Sequence, residues 1–171
     1  LLNRTTSRSD GRGQSIERRQ ISDFHFAGEV FGFEPGATHR FCAEAVTDCQ
    51  IALIRRSAVT KAADQDLGAG RALWAIASRD LTRLQDHVML LGRKNAAERV
   101  GAFLLGMAER TGNGRTVDLP MSRTDMADYL GLTIETVSRT LTQFERDAVI
   151  AMPSCRHIEL RDRAALGSLN V

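Results

Sequence analysis

Apolar positions change their spacing twice along the chain, and each change marks a change of structure. Residues 4–14 are polar and Gly-rich between Leu1-Leu2 and the Ile16–Ile21 region, the pattern of a long hairpin tip. From Ile21 to Arg56, short runs of Phe, Val and Ile are cut by Gly28, Gly32, Pro35 and Gly36, which predicts strands joined by tight turns. The unbroken run Ile51-Ala52-Leu53-Ile54 reads as a buried strand. After about Leu67 the spacing lengthens: Leu73, Ala77, Leu81, Leu84, Val88 and Leu91 follow at steps of 4, 4, 3, 4 and 3. That is one stripe along one helix, with Arg71, Arg79, Arg83 and Asp86 off it. A stripe of roughly five turns exceeds what a small half-domain can cover, so it is expected to form a seam with a second copy of the chain.

The remainder alternates capped helices with short strands. Asn95 followed by Glu98 is a capping box opening a helix with Val100, Phe103, Leu104 and Met107 on one side, and Thr111-Gly112-Asn113-Gly114 ends it. Val117-Asp118-Leu119-Pro120 is a short strand closed by proline. Ser122 and Asp125 cap a helix through Leu130, Gly131 makes the turn, and Thr133 caps a second helix. Its Val137, Leu141 and Phe144 face Met126, Ala127 and Leu130, a helix-turn-helix pattern. Ile150-Ala151-Met152, the turn Pro153-Ser154 and the alternating strand His157–Arg161 add a wing. The expected fold is α+β: a partial β-structured domain at 1–67, a long helix at 68–93 and a winged helix-turn-helix domain at 94–171.

The outer face of the second helix of that pair carries Glu135, Ser138, Arg139 and Thr142, with Arg146 one turn on and Ile134 at its start. Arg can donate a forked pair of hydrogen bonds to guanine O6 and N7, and Glu can accept from the cytosine amino group. Set near a helix N-terminus, these residues suit reading bases in a major groove. An isolated surface pair of Glu135 and Arg139 would contribute only ~0.3–0.5 kcal/mol, and the two could instead hold each other in rotamers that favour reading. The case for DNA therefore rests on the capped, winged context. Ser122, Arg123, Thr133 and Thr136 lie at or near helix N-termini where phosphates would pass, and Thr142, further along the second helix, is assigned to phosphate with them.

Composition excludes more than it assigns. A chain of 171 residues, 43% hydrophobic and 26% charged, holds one ordinary domain or two small ones and is not disordered. Val88–Leu91 and Ala102–Leu105 fall far short of the ~18 apolar residues of a membrane span. The three cysteines, Cys42, Cys49 and Cys155, have no paired spacing for a disulfide framework or a zinc ribbon, which fits a reducing cytoplasm. Leu1 in place of Met suggests a start partway through a longer sequence.

Charge is divided unevenly. Residues 1–20 hold five Arg against Asp10 and Glu17, residues 21–111 hold eleven charges of each sign, and residues 112–171 hold seven Arg against eight acids. Bulk charge thus gives no argument for nucleic acid, and local polarity must carry it. No nucleophile–base set or phosphate-binding Gly loop can be assembled, so an enzyme is not expected. His25, His39, His87 and His157 lack metal spacing, and neither metal nor cofactor is expected. Cys155, next to Arg156-His157 in the wing turn, is a candidate redox thiol. Oxidation to an acidic product there would oppose phosphate binding.

Ser122-Arg-Thr-Asp-Met-Ala-Asp-Tyr-Leu-Gly-Leu-Thr-Ile-Glu-Thr-Val-Ser-Arg139, preceded by Leu91-Gly-Arg-Lys-Asn-Ala-Ala-Glu-Arg-Val100, resembles the CRP/FNR family of bacterial transcription regulators, FixK type. The resemblance extends to Phe26-Ala-Gly-Glu-Val-Phe-Gly32 and Ala43-Glu-Ala-Val-Thr-Asp-Cys49, which look like later strands of that family's effector-domain β-roll. It implies a homodimeric regulator, mainly an activator, that recruits RNA polymerase, with Glu135, Ser138 and Arg139 on bases of a palindrome with TTGA-type half-sites. It also implies control of genes for low-oxygen respiration and nitrogen fixation.

Where cyclic-nucleotide-binding relatives place a ribose-holding Glu and a phosphate-holding Arg-Ser pair, this chain has Phe33 and Arg40-Phe41. An apolar ring cannot replace a carboxylate, so no effector is expected. The alternative is a ligand-gated or redox-gated regulator of the same family. Cys49 aligns with one ligand of the iron–sulfur cluster of oxygen-sensing relatives, but one thiol cannot hold a cluster, and Cys49 is expected to be a buried small residue of its strand. An oxygen-controlled relative carries an acid near the position of Leu84. The uncharged stripe here implies a dimer that needs no effector.

Overall fold

The computed structural model describes residues 2–6 as backbone and residues 19–34, 38–39, 41–111 and 114–169 in full. The tip of the expected hairpin and Arg40 lie outside the described residues. The hairpin itself is present: β1 (Leu2–Thr6) pairs antiparallel with β2 (Gln20–His25), and on its other side with β3 (Cys42–Ala45), in the order β2-β1-β3. Ile21 and Phe24 of β2 are buried, whereas all four residues of the edge strand β3 are exposed.

Several expectations for this half are corrected. Phe26–Gly32 is a turn with Glu29 N donating to Phe26 O at 3.2 Å, and is not a strand. Ile51-Ala52-Leu53-Ile54 forms no strand, and Leu53 is 94% exposed. Cys49 is exposed rather than buried. The physical reason is common to these last two: an apolar run is buried only where a second layer faces it, and past Val46, which packs against the core, residues 47–54 are all exposed. A helix, α1 (Arg56–Gln65), occupies the end of the segment read as β structure.

Asp66 closes α1 and opens α2 (Leu67–Arg93) in one step. Its amide donates to Ala62 O at 2.9 Å while its carboxylate accepts from Gly68 N at 2.8 Å. Then come α3 (Ala96–Arg110), β4 (Thr116–Asp118), α4 (Arg123–Leu130), α5 (Ile134–Arg146), β5 (Ile150–Ala151), β6 (His157–Leu160) and α6 (Arg163–Ser168). The strands form an antiparallel sheet in the order β4-β6-β5. The core gathers Leu104 and Met107 of α3, Met126 and Leu130 of α4, Val137, Leu141 and Phe144 of α5, and Ile150 and Ile158 of the wing, all buried. Leu166 of α6 closes it from below Gly101, where a Cβ would come 3.5 Å from Leu166 Cδ2.

That core does not stop at the helix-turn-helix and its wing. Phe24 of β2 packs edge-on to Phe103 and tilted against Tyr129, with ring centroids 6.2 and 5.3 Å away. His87 of α2 stacks on Tyr129 at 4.2 Å and bonds its carbonyl at 2.8 Å. Strand region, long helix and helix-turn-helix therefore meet around one aromatic cluster.

Candidate nucleic-acid interface

The helix-turn-helix is built by caps that satisfy backbone amides left without intrahelical partners. At the start of α4, Ser122 Oγ accepts from Asp125 N at 3.1 Å while Asp125 Oδ2 accepts from Ser122 N at 2.9 Å, a complete capping box. At its end Gly131 adopts φ 62, and Leu132 N donates back to Ala127 O at 3.0 Å. Thr133 caps α5, its Oγ1 accepting from Thr136 N at 3.2 Å and lying 3.1 Å from Thr136 Oγ1. Arg99 ties this turn to the long helix: its Nη1 donates to Leu130 O at 3.0 Å and its Nη2 to Leu91 O at 2.8 Å, with Nε on Lys94 O at 2.8 Å.

These caps leave one face of α5 outside. Val137, Leu141 and Phe144 are buried, while Glu135, Arg139, Thr142 and Arg146 are exposed, Ser138 is half-buried and Ile134 is 41% exposed. The sequence-predicted base-reading set thus stands together on the solvent side of the helix. Glu135 and Arg139 do not form an ion pair among the described residues, so neither fixes the other's rotamer. The Glu135 carboxyl is held below its ordinary range, first by its own backbone amide, then by the Thr133 hydroxyl, with Arg139 adding through its charge. It is therefore an acceptor at neutral pH. Thr142 turns its hydroxyl back onto Ser138 O at 3.0 Å.

Ser122, Arg123 and Thr133 flank this face at the two helix N-termini, with Ser122 and Thr133 exposed and Arg123 and Thr136 half-buried. The wing brings Cys155 and Arg156 beside them: both are exposed, and they line a shallow pocket with Ser122, Arg123 and Met126. Asp118 of β4 and His157 of β6 join their strands, Nδ1 lying 2.7 Å from Oδ1.

The stripe on α2 divides in two. Leu81, Leu84 and Val88 are 56, 47 and 61% exposed and Ala77 is exposed, but Leu73 and Leu91 are half-buried within their own chain. Leu91 Cδ2 is the atom that a Cβ on Gly131 would meet at 3.4 Å. Trp74, 76% exposed, takes the outward position beside Leu73. The sequence did hold this signal: Leu67, Gly70, Trp74, Ala77, Leu81, Leu84, Val88 and Leu91 repeat at strict steps of 3 and 4.

Comparison with known proteins decides the lineage. Residues 98–169 match the Crp-like helix-turn-helix domain. The chain is 49% identical over 158 residues to the nitrogen fixation regulation protein FixK of Azorhizobium caulinodans, covering 90% of this chain and 64% of the relative. It is 45% identical over 152 residues to the protein of the same name from Rhizobium meliloti, covering 89% of this chain and 69% of that relative. The chain belongs to the CRP/FNR family, FixK type. The structure of FixK2 from Bradyrhizobium japonicum superimposes with a TM-score of 0.90 at 44% identity, over 99% of this chain and 83% of that one. A CooA mutant from Carboxydothermus hydrogenoformans, 18% identical, shares the fold at a TM-score of 0.78 over 99% of this chain. This CRP/FNR chain spans about two thirds of the length of the curated FixK relatives it matches. Those relatives are named as regulation proteins.

Proposed function

We propose that the chain regulates transcription, mainly as an activator, by binding double-stranded DNA as a homodimer, each copy laying α5 in the major groove of one half of a palindrome. The observation that carries this reading is the outer face of α5, where Glu135, Ser138 and Arg139 stand together above a fully packed inner face, between two capped helix N-termini. Base contacts fall to these three and Ile134. Phosphate contacts fall to Ser122, Arg123, Thr133, Thr136 and Thr142. The likeness to proteins named for nitrogen fixation regulation supports a role in nitrogen-fixation genes. Low-oxygen genes, TTGA-type half-sites and a partnership with RNA polymerase in the cytoplasm complete the proposal as what the family resemblance implies.

A dimer seam along α2 is supported by the exposed apolar stripe from Trp74 to Val88. Pairing two such helices removes that surface from water and sets two copies of α5 on one duplex. Independence from an effector is supported by Phe33, an apolar ring at the position where nucleotide-binding relatives carry a carboxylate.

The test is binding to a duplex with TTGA…TCAA half-sites and to a scrambled duplex, at fixed salt and without effector, for the chain and for Arg139→Ala. Preference for the palindrome, reduced by ~1–3 kcal/mol per half-site in the variant, is the expected result. Equal weak binding to both duplexes overturns effector-independent recognition and favours the ligand-gated alternative. Cys155 is the thiol proposed for redox control, because it alone of the three exposed cysteines lines the pocket beside Ser122 and Arg123. Peroxide should weaken DNA binding of the chain and leave Cys155→Ser unaffected.

A further inference from the structure

The DNA-proximal end of α4 is gripped from outside its own domain. Arg19, just before β2, places Nη1 2.5 Å from Asp125 Oδ1 and 3.2 Å from Asp128 Oδ2, while its Nη2 lies 2.6 Å from Glu44 Oε2. Gln20 Nε2 donates to Asp128 O at 2.6 Å beside it. The two oxygens of Asp125 are divided between tasks: Oδ2 accepts from the amide and hydroxyl of Ser122 at 2.9 and 2.8 Å, and Oδ1 is left for Arg19.

Asp125 and Asp128 lie three residues apart on one helix face, within two turns of Ser122 and Arg123, to which phosphate contacts are assigned above. At that range, inside a Debye length of ~10 Å, two bare carboxylates would oppose an approaching phosphate. A guanidinium in contact with both offsets that repulsion, and Glu44 holds it in place through its second nitrogen.

We infer that Arg19 is a positioning residue for DNA binding: contributed by the strand region, it neutralises and orients Asp125 and Asp128 so that the N-terminus of α4 can accept a phosphate. The inference rests on the DNA-binding reading above. It also makes DNA affinity depend on how the strand region sits against the helix-turn-helix, through one side chain.

The experiment measures affinity for the TTGA duplex at about 50 and about 200 mM salt for the chain, Arg19→Gln, Arg19→Lys, Asp128→Asn and Arg19→Gln with Asp128→Asn, with Arg139→Ala as control. Arg19→Gln should weaken binding about tenfold at low salt and less at high salt, as expected for removal of one charge. Adding Asp128→Asn should restore most of that loss, whereas Asp128→Asn alone should change affinity less than about threefold. Arg19→Lys should stay within about threefold of the chain even if its melting temperature falls. Unchanged affinity in Arg19→Gln, or a loss that Asp128→Asn does not restore, overturns the proposal. Indifference of the unmodified chain to Arg139→Ala is a different failure: it removes the DNA-binding reading itself, and the role of Arg19 with it.

Discussion

Val149 closes helix α5 by donating its amide to the carbonyl of Phe144 at 2.9 Å, and Ala148 between them is forced to φ 55. With Ala148 N donating to Glu145 O at 3.1 Å, this is a Schellman ending, in which the left-handed position is ordinarily glycine. The other end of the helix-turn-helix pair obeys that preference, since Gly131 takes φ 62 after α4.

Ala148→Gly is therefore expected to stabilise the chain, because it removes a Cβ that the left-handed region disfavours by ~1 kcal/mol. Thermal unfolding should show a rise of roughly 2–4 °C. A fall would mean that glycine's extra freedom in the unfolded chain outweighs the relieved strain.

Arg99 serves three carbonyls from two helices: Lys94 and Leu91 at the end of α2 and Leu130 at the end of α4. Its planar fork can meet them together, and an ammonium cannot. Arg99→Lys should cost about 2 kcal/mol, the scale of losing charged hydrogen bonds to part-buried carbonyls. Denaturant unfolding that gives the same midpoint for both proteins would assign the fork no energetic role.

The helix-turn-helix was legible because its signals are local. Ser122 lies three residues from Asp125, Thr133 three from Thr136, and Gly131 stands between two apolar periods, so spacing alone places the caps and the turn. The exposed face of α5 follows from the same period. The first half resisted for the opposite reason. Ile51–Ile54 has the composition of a buried strand, but burial depends on a facing layer that no local pattern reports. Arg19 and Asp125, 106 residues apart, could not be joined from spacing at all. Ala148 was hidden too, since an alanine carries no sign of a left-handed backbone.

Glu29 holds the strand region to the helices. Arg83 of α2 donates to its Oε1 at 2.7 Å and Arg110 of α3 to its Oε2 at 3.0 Å, while Arg110 also bonds the carbonyl of Phe24 and stacks over Phe26. Burial pushes the Glu29 carboxyl up, but the hydrogen bonds from Arg83 and the Phe26 amide and the charge of Arg110 outweigh it and hold it below its ordinary 4.5. Asp125 is lowered likewise from 3.8, burial again being overcome by the bonds from Arg19 and Ser122.

A carboxyl lowered on folding contributes stability that is present above its unfolded pKa and is lost as pH falls through the folded value. The melting temperature should therefore be flat near neutrality and fall below about pH 4.5, where Glu29 begins to protonate in the unfolded chain. Glu29→Gln should lower the plateau and make this acid fall shallower. Identical pH profiles for the two proteins would show that Glu29 carries none of it.

The stripe on α2 makes the last prediction, and its logic is a difference between two solvents for one side chain. In a single chain Leu84 is 47% exposed, so an acid there meets water and disturbs little. In a paired seam the same acid would face its symmetry copy, two like charges in an apolar contact. Leu84→Glu should thus leave the melting temperature of dilute chain nearly unchanged and shift sedimentation from dimer to monomer. Affinity for the palindrome should fall with it, because two half-sites are no longer engaged by one particle. Gln85→Glu, exposed but off the 3-4 repeat, should keep the dimer. A Leu84→Glu chain that still sediments as a dimer would move the seam elsewhere on the molecule.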